Sequence, residues 1–219
     1  MNKTLHSLET IQEKLFSAVI SDALDSVGYH KQSPNVAFKA YTGTDKLVGR
    51  CKTTLWADMY QDDPNPYELE LKAVDNCQPG DILIAAANGS IRSGIWGELL
   101  STAAQNSGCH GVIVHGAVRD VAQMCEMKFP VFATATSIYD SLNRQRVIDI
   151  DIPVEIGGVI FTPGALIFCD KDGIVVIPQE VEREVIERAI NKMGAENITR
   201  SEIKNGMKAT DAYKKYGIL

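Results

Sequence analysis

The chain has 219 residues, 45% of them hydrophobic and 23% charged, the composition of a soluble globular protein whose core needs no disulfide or structural metal. A formal net charge of −6 and a pI near 5.3 argue against nucleic acid as a principal ligand, because phosphate binding needs a basic face. No run approaches ~18 apolar residues, so no membrane span is expected, and the polar opening Met1 to Ser7 lacks the apolar stretch of a secretion signal, so a cytoplasmic location is expected.

Ser7 to Phe16 and Ser17 to Val27 read as two short helices, with Ser7-Thr10 and Ser21-Asp22 as cap-type signals. His30 to Val36 is a loop, and Leu47 to Ala57 alternates like a strand. The Asp62-Asp63-Pro64-Asn65-Pro66 stretch is a surface turn, followed by an amphipathic helix over Tyr67 to Val74. Gln78-Pro79-Gly80-Asp81 then delivers the apolar run Ile82 to Ala85, and Thr162-Pro163-Gly164-Ala165 delivers Leu166 to Cys169 in the same way. Both runs are apolar throughout, as in central strands covered on two faces. Asp170-Lys171-Asp172-Gly173 is a hairpin turn into Ile174 to Ile177. Residues 179–197 form a charged amphipathic helix with Val181, Val185, Ile186 and Ile190 inward, and a shorter helix ends near Tyr216-Gly217. Strands and helices alternate irregularly, which indicates one mixed α/β domain over 1–219, with a helical extension at about 179–219.

The five cysteines, Cys51, Cys77, Cys109, Cys125 and Cys169, show no paired spacing, so zinc binding is not expected, and most of them are expected to pack as small apolar residues. His6 and His30 fall in exposed termini or loops. His110 and His115 flank an apolar run and are either hydrogen-bonded structural imidazoles or general bases.

The segment from Trp96 to Asp120 carries the chemistry. Leu99, Leu100, Ala103 and Ala104 recur at helical spacing, and Gly108 stops that helix. Val112 to Val114 is a buried strand, Gly116 turns the chain, and Arg119-Asp120 opens a second helix. A helix amino terminus with unpaired amides thus lies near a guanidinium and a carboxylate, a layout suited to a metal-bound organic acid. Arg119-Asp120 also reads as an ordinary cap, and Gly97-Glu98 as a charge placed on the helix dipole.

Trp96-Gly97-Glu98-Leu99-Leu100 and Gly111 to Asp120, with Ser21 to Asp25, Val48-Gly49-Arg50, Gln78 to Asp81 and Asp170 to Pro178, resemble the class II pyruvate aldolases that cleave 4-hydroxy-4-methyl-2-oxoglutarate. That family includes the regulators of ribonuclease activity A. The resemblance spans nearly the whole chain. It implies a swivelling β/β/α sandwich, a mixed sheet with flanking helices, assembled as a homotrimer or homohexamer with sites between subunits. Trp96, beside the motif, would suit such an interface. It further implies Mg²⁺ or Mn²⁺ held by Asp120, with Glu98 reaching it through water and Glu196 of a neighbouring copy completing the shell. Arg119, Gly97 and the amides of Leu99 and Leu100 would hold a small 2-oxo acid, with Arg119 and Glu98 as the catalytic pair. The activity implied is retro-aldol cleavage of a 4-hydroxy-2-oxo acid to pyruvate, with oxaloacetate decarboxylation through the same enolate and a metal-activated water near Glu98 as base. His115 stands where the family commonly has aspartate, and Ala165 replaces the aspartate usual after Pro-Gly; the first is expected to bear on specificity. Two other classes remain: a non-catalytic, protein-binding regulator of ribonuclease activity, and a phosphohistidine-type carrier using His115.

Overall fold

The computed structural model describes residues 6–218; the polar opening Met1 to Leu5 lies outside them. Helices α1 (Leu8–Lys14) and α2 (Ser17–Asp25) come first, then the short strand β1 (Lys39–Ala40) and the long strand β2 (Leu47–Asp58). Helix α3 (Glu68–Asp75) leads to β3 (Asp81–Ala86) and β4 (Gly94–Trp96). Next follow α4 (Glu98–Asn106), β5 (Gly111–Val118), α5 (Val121–Met127), β6 (Val131–Thr136) and β7 (Gln145–Ile150). A small hairpin, β8 (Val154–Ile156) with β9 (Val159–Phe161), precedes β10 (Leu166–Cys169) and β11 (Ile174–Ile177). Helices α6 (Glu182–Lys204) and α7 (Ala209–Tyr216) end the chain.

Nine strands form one mixed sheet in the order β1-β6-β5-β3-β2-β10-β11, with β4 beside β5 and β7 beside β2. Pairs β2–β3, β3–β5, β4–β5 and β5–β6 are parallel, whereas β10 runs antiparallel to both β2 and β11. The two Pro-Gly strands are interior, as their apolar runs require. Their turns straddle one point on β2: Arg50 N donates to Gly80 O at 2.8 Å, and Cys51 N to Ala165 O at 2.9 Å.

Strand alternation distributes the core. Leu83, Val112, Val114 and Val118 face α3, α4 and α5 with Val74, Ala104 and Met124. Ile82, Ile84 and Ile113 face the other way, against Phe132, Phe161 and Ile167 and the β8–β9 hairpin. A third cluster joins α1, α2 and α6 to Leu166, Phe168, Val175 and Ile177. Among the described residues no helix is long and apolar enough to cross a membrane.

Three local expectations are corrected. Ser21 and Asp22 lie within α2 but do not cap it; the carboxylate of Asp170 does, accepting from Ser17 N at 2.8 Å and Ser17 Oγ at 2.7 Å. Gly116 lies within β5 and does not turn the chain; a Cβ there would come within 3.2 Å of Ala87 Cβ and Ser90 O, so glycine makes room for the segment after β3. The final long helix runs on to Lys204 instead of ending at 197.

Candidate active site

The parallel pairing of β4 with β5 sets Gly94 opposite Ala117 and Trp96 opposite Val118, so the two strands end side by side. Arg119 N donates to Trp96 O at 2.9 Å. Gly97-Glu98 and Arg119-Asp120 therefore leave the sheet together. Close approach explains both glycines of β4's ends: a Cβ at Gly94 would sit 2.9 Å from Arg119 Cβ, and one at Gly97 would collide with the Asp120 carboxylate. Trp96 Nε1 donates to Ser101 Oγ at 2.8 Å, and that hydroxyl donates to Gly97 O at 2.9 Å, fixing the first turn of α4 on the strand. Trp96 is thus buried inside its own chain, and its burial there gives it no interface role.

Asp120 does not cap its own helix. Its backbone is left-handed at φ 55°, and its side chain reaches back, accepting from Glu98 N at 3.3 Å. The carboxylate of one helix start thereby meets the positive end of another. The amides of Leu99 and Leu100 lie in the same first turn, where helices lack internal acceptors. Arg119 is held on two sides, Nη1 to Asp140 Oδ2 at 2.9 Å and Nε to Asp120 Oδ2 at 3.7 Å. Asp140 also accepts from Tyr67 Oη at 2.8 Å and Leu142 N at 2.8 Å. Burial works to raise the Asp140 carboxyl, but those two donors and Arg119 outweigh it and hold it below the ordinary aspartate range. The Tyr67 phenol is pushed up to about 12 by burial and by Asp140. Tyr67 is left-handed too, at φ 66°, so two non-glycine residues of the site carry uncommon backbone.

These groups line a cleft of about 270 Å³ bounded by Tyr67, Glu70, Gly97, Leu100, Arg119 and Asp140, with Leu99 and Asp120 also on its wall. Of the expected residues, Gly97, Leu99, Leu100, Arg119 and Asp120 come together here. The Glu98 carboxylate turns along α4 instead, accepting from Thr102 Oγ1 at 2.9 Å. Glu196 lies on α6, which packs on α2 and α7, and its carboxylate pairs with Arg200 at 3.4 Å, outside the cleft of its own chain. Glu70, Tyr67 and Asp140 join the cleft although nothing in the sequence sets them apart.

Neither histidine joins the site. His110 lies just before β5, at the end opposite Arg119, with Nδ1 2.9 Å from Val48 O. His115 faces Phe38, its ring centroid 6.3 Å away, on the sheet face opposite Val114 and Val118. Its Nδ1 has no hydrogen-bond partner, and burial lowers its pKa, with Glu155 opposing. The expected influence of His115 on this cleft is therefore corrected. A larger cleft of about 660 Å³, lined by Tyr29, Lys31, Thr162, Ala165 and Gln179, lies elsewhere and brings together no comparable set of charged groups.

A hard divalent cation placed here would have Asp120 as its one ready carboxylate, with Glu98 turned to Thr102, and would be held largely through water. Asp120 and Glu98 offer oxygen ligands, the Asp120 contacts are long, and no cluster of three or more His, Cys, Asp or Glu exists among the described residues. Magnesium prefers one or two carboxylates and several waters to such a cage.

A family model described as RraA-like, Aldolase/RraA, matches residues 17–176. A 4-hydroxy-4-methyl-2-oxoglutarate aldolase of Thermus thermophilus is 28% identical over 144 residues, 66% of this chain and 83% of that protein. Protein DlpA of Legionella pneumophila is 29% identical over 200 residues, 91% of this chain, which spans only 32% of that longer relative. The crystal structure of Streptomyces coelicolor RraAS2, described as an unusual member of the RNase ES inhibitor RraA protein family, superposes with a TM-score of 0.78 at 26% identity, covering 88% of this chain and 94% of its own.

Proposed function

The chain belongs to the RraA-like family, and from that premise we propose that it is a metal-dependent carbon–carbon lyase cleaving 4-hydroxy-2-oxo acids to pyruvate. The observation that carries this reading is the Arg119 guanidinium, gripped by Asp140 at 2.9 Å and aimed into a cleft whose other wall is the amino terminus of α4. Arg119 and the amides of Leu99 and Leu100 bind the substrate carboxylate and keto oxygen. As the C3–C4 bond breaks, charge grows on that oxygen, and a guanidinium already held in place needs no reorganisation to meet it. Asp120 would hold Mg²⁺ or Mn²⁺, Glu98 would reach it through water once released from Thr102, and Glu196 would come from a second copy. When bound, the cation supplies a Lewis acid at the developing oxyanion. Loss of CO₂ from oxaloacetate yields the same enolate and belongs to the same proposal.

A homotrimer or homohexamer is part of the reading. It is supported by apolar side chains exposed beside the cleft, Leu99 at 77%, Ile138 at 88% and Tyr139 at 58%. The same patch supports the second reading, a protein-binding regulator of ribonuclease activity, to which the description of the Streptomyces neighbour also lends weight.

Pyruvate release from 4-hydroxy-4-methyl-2-oxoglutarate and from oxaloacetate separates the two readings. Turnover is expected to vanish after exhaustive chelation and to return with Mg²⁺ or Mn²⁺. Asp120→Asn is expected to weaken metal binding by calorimetry and nearly abolish turnover, on particles of three or six times 24.0 kDa by light scattering. Full activity after chelation removes the metal from the reading, and no turnover on either substrate leaves the regulator.

A further inference from the structure

We propose that Glu70 is the proton-transfer residue of this cleft, taking the proton from the C4 hydroxyl of a 4-hydroxy-2-oxo acid and returning it to C3 after cleavage. The inference rests on the aldolase reading and gives to Glu70 the proton transfer that the family resemblance left to a metal-activated water near Glu98.

Three charged residues are buried among the described residues, Lys52, Glu70 and Glu182, and the Asp63 carboxylate, 4% exposed at its side chain, is paired with Arg146. Lys52 pairs with Asp151 at 2.9 Å, and Glu182 forks onto Arg50 at 2.5 and 2.9 Å. Among the described residues Glu70 meets no hydrogen-bond or ion-pair partner, although it is only 7% exposed. Its place on α3 explains the burial: it lies one turn before Ala73 and Val74, on the face turned to the core, where a leucine would pack without cost. The helix instead presents a carboxyl to the wall of the cleft that holds Arg119. Its oxygens are not among the sealed, partnerless polar atoms of the described residues, so they open on the cleft. A carboxyl so nearly stripped of water is costly to keep charged, a setting that recurs where chemistry uses the group.

The charged groups facing Glu70 are Asp140, from the segment after β6, and Arg119, from the end of β5. Tyr67 and Asp120 line the same cleft. From the elements packed on α3, Arg146 of β7 is committed to Asp63 at 3.0 Å and Glu98 of α4 to Thr102. Burial, with Asp140 adding and Arg119 opposing, pushes the Glu70 carboxyl up to about 8, which makes it a far stronger base than an ordinary glutamate and places it near the working pH.

The step balances without a further reactant. The Glu70 carboxylate accepts the C4 hydroxyl proton, and the oxygen lone pair becomes the new C4 carbonyl. The C3–C4 bond breaks, and its electron pair becomes the enolate of pyruvate. The Glu70 carboxylic acid then protonates C3 and is a carboxylate again. Decarboxylation of oxaloacetate has no hydroxyl proton to remove, so Glu70 gains none to return, and the enolate left by CO₂ takes its C3 proton from solvent.

That difference provides the test. Glu70→Gln keeps the shape of the side chain and removes its titration. It is expected to lower kcat for aldol cleavage by about 10²–10⁴, the usual contribution of general acid–base catalysis. Oxaloacetate decarboxylation, above the metal-only background, is expected to fall by less than about tenfold. The wild-type kcat/KM for aldol cleavage should rise along a limb centred well above the ordinary glutamate range, and the variant should lack that limb. Equal losses on both substrates mark Glu70 as structural and overturn the proposal, as does an unchanged aldol rate; both leave the aldolase reading standing. A wild-type profile with no such limb overturns it without any variant, which covers a Gln protein that does not fold. A wild-type protein inactive on both substrates brings down the aldolase reading itself, and this step with it.

Discussion

Along the β10–β11 edge, where α1, α2 and α6 cover the sheet, polar groups close on one another. Arg50 forks onto Glu182, Asp170 caps α2 through Ser17, and Lys46 Nζ donates to the carbonyls of Gln12 and Leu15 at 2.9 Å each, satisfying the end of α1. At the far end of β5 Arg119, Asp140 and Tyr67 pair with one another, but the groups around them stay open. Among the described residues Glu70 has no hydrogen-bond partner, Asp120 makes only long contacts, and Tyr67 and Asp120 hold left-handed backbone that most residues avoid. Both regions belong to one sheet and one folding unit, so the contrast is not one of overall stability. Where structure is the only demand, charges are paired and helices capped; where they are not, local energy is being held against another use. The cap reading of Arg119-Asp120 fails on the same comparison, since Asp120 leaves its own helix uncapped.

Arg119→Lys breaks the open region at its centre and should have the largest effect. Lysine keeps the charge but loses the planar fork that contacts two oxygens at once. If the arginine meets the developing enolate, kcat falls on the order of 10²–10³, with a rise in KM from the weakened carboxylate contact. A rise in KM alone would confine Arg119 to ground-state binding. Steady-state kinetics on oxaloacetate that show neither change would place Arg119 outside the chemistry.

Glu182→Ala breaks the closed region and should leave turnover per folded molecule untouched. Removing one partner of a buried ion pair costs about 3–5 kcal/mol, and Arg50, 20% exposed at its side chain, places the loss near the lower figure. Glu70→Gln should do the opposite. The Glu70 carboxyl sits at about 8 in the fold against 4.5 as a free group, so its contribution is intact below 4.5 and is lost as pH rises to 8. Above pH 8 the Gln protein should therefore be the more stable by an amount on the order of a few kcal/mol, and near pH 4 the two should melt together. Melting curves at pH 4 and pH 9 check both signs. A Gln protein that is less stable at pH 9 would show that Glu70 has a partner in solution.

The frame of the site was legible because periodicity reports it: α4 begins at Glu98 as its apolar spacing requires, and β5 follows Gly108. Gly116 misled because a glycine in an apolar run signals a turn, whereas here it answers a close approach from Ala87 that only the fold creates. The period of two in β5 already sets His115 on the face away from Val114, which removes it from the cleft on sequence grounds. Glu70 was not legible. Within Glu68-Leu69-Glu70-Leu71 it reads as one more solvated charge on an amphipathic helix, and nothing local says that α3 turns this face inward. Asp140 likewise meets Arg119 only because the segment after β6 folds back over the end of β4, where Gly94 N donates to Tyr139 O at 2.9 Å.

Tyr67→Phe sharpens the comparison with the smallest change. Phenylalanine keeps the Cβ and the ring, so the left-handed backbone and the packing are preserved and only the hydroxyl is lost. That hydroxyl donates to Asp140 Oδ1 at 2.8 Å, and Asp140 Oδ2 holds Arg119 at 2.9 Å. With its pKa near 12, the phenol remains a donor throughout the assay range. A hydrogen bond to a charged group contributes about 1.5–3 kcal/mol, but Asp140 keeps its contact with Leu142 N, and Arg119 keeps Asp120. Only part of that energy should reach the reaction, a loss in kcat/KM of about threefold to tenfold. A loss confined to KM means that Tyr67 sets where Arg119 waits for the substrate carboxylate. A loss in kcat means that the alignment matters at the developing oxyanion, and the two contacts of Asp140 then act as one unit with the guanidinium. If neither moves, Asp140 holds Arg119 without help, and the left-handed turn at Tyr67 serves to place Glu70 on the next turn of α3.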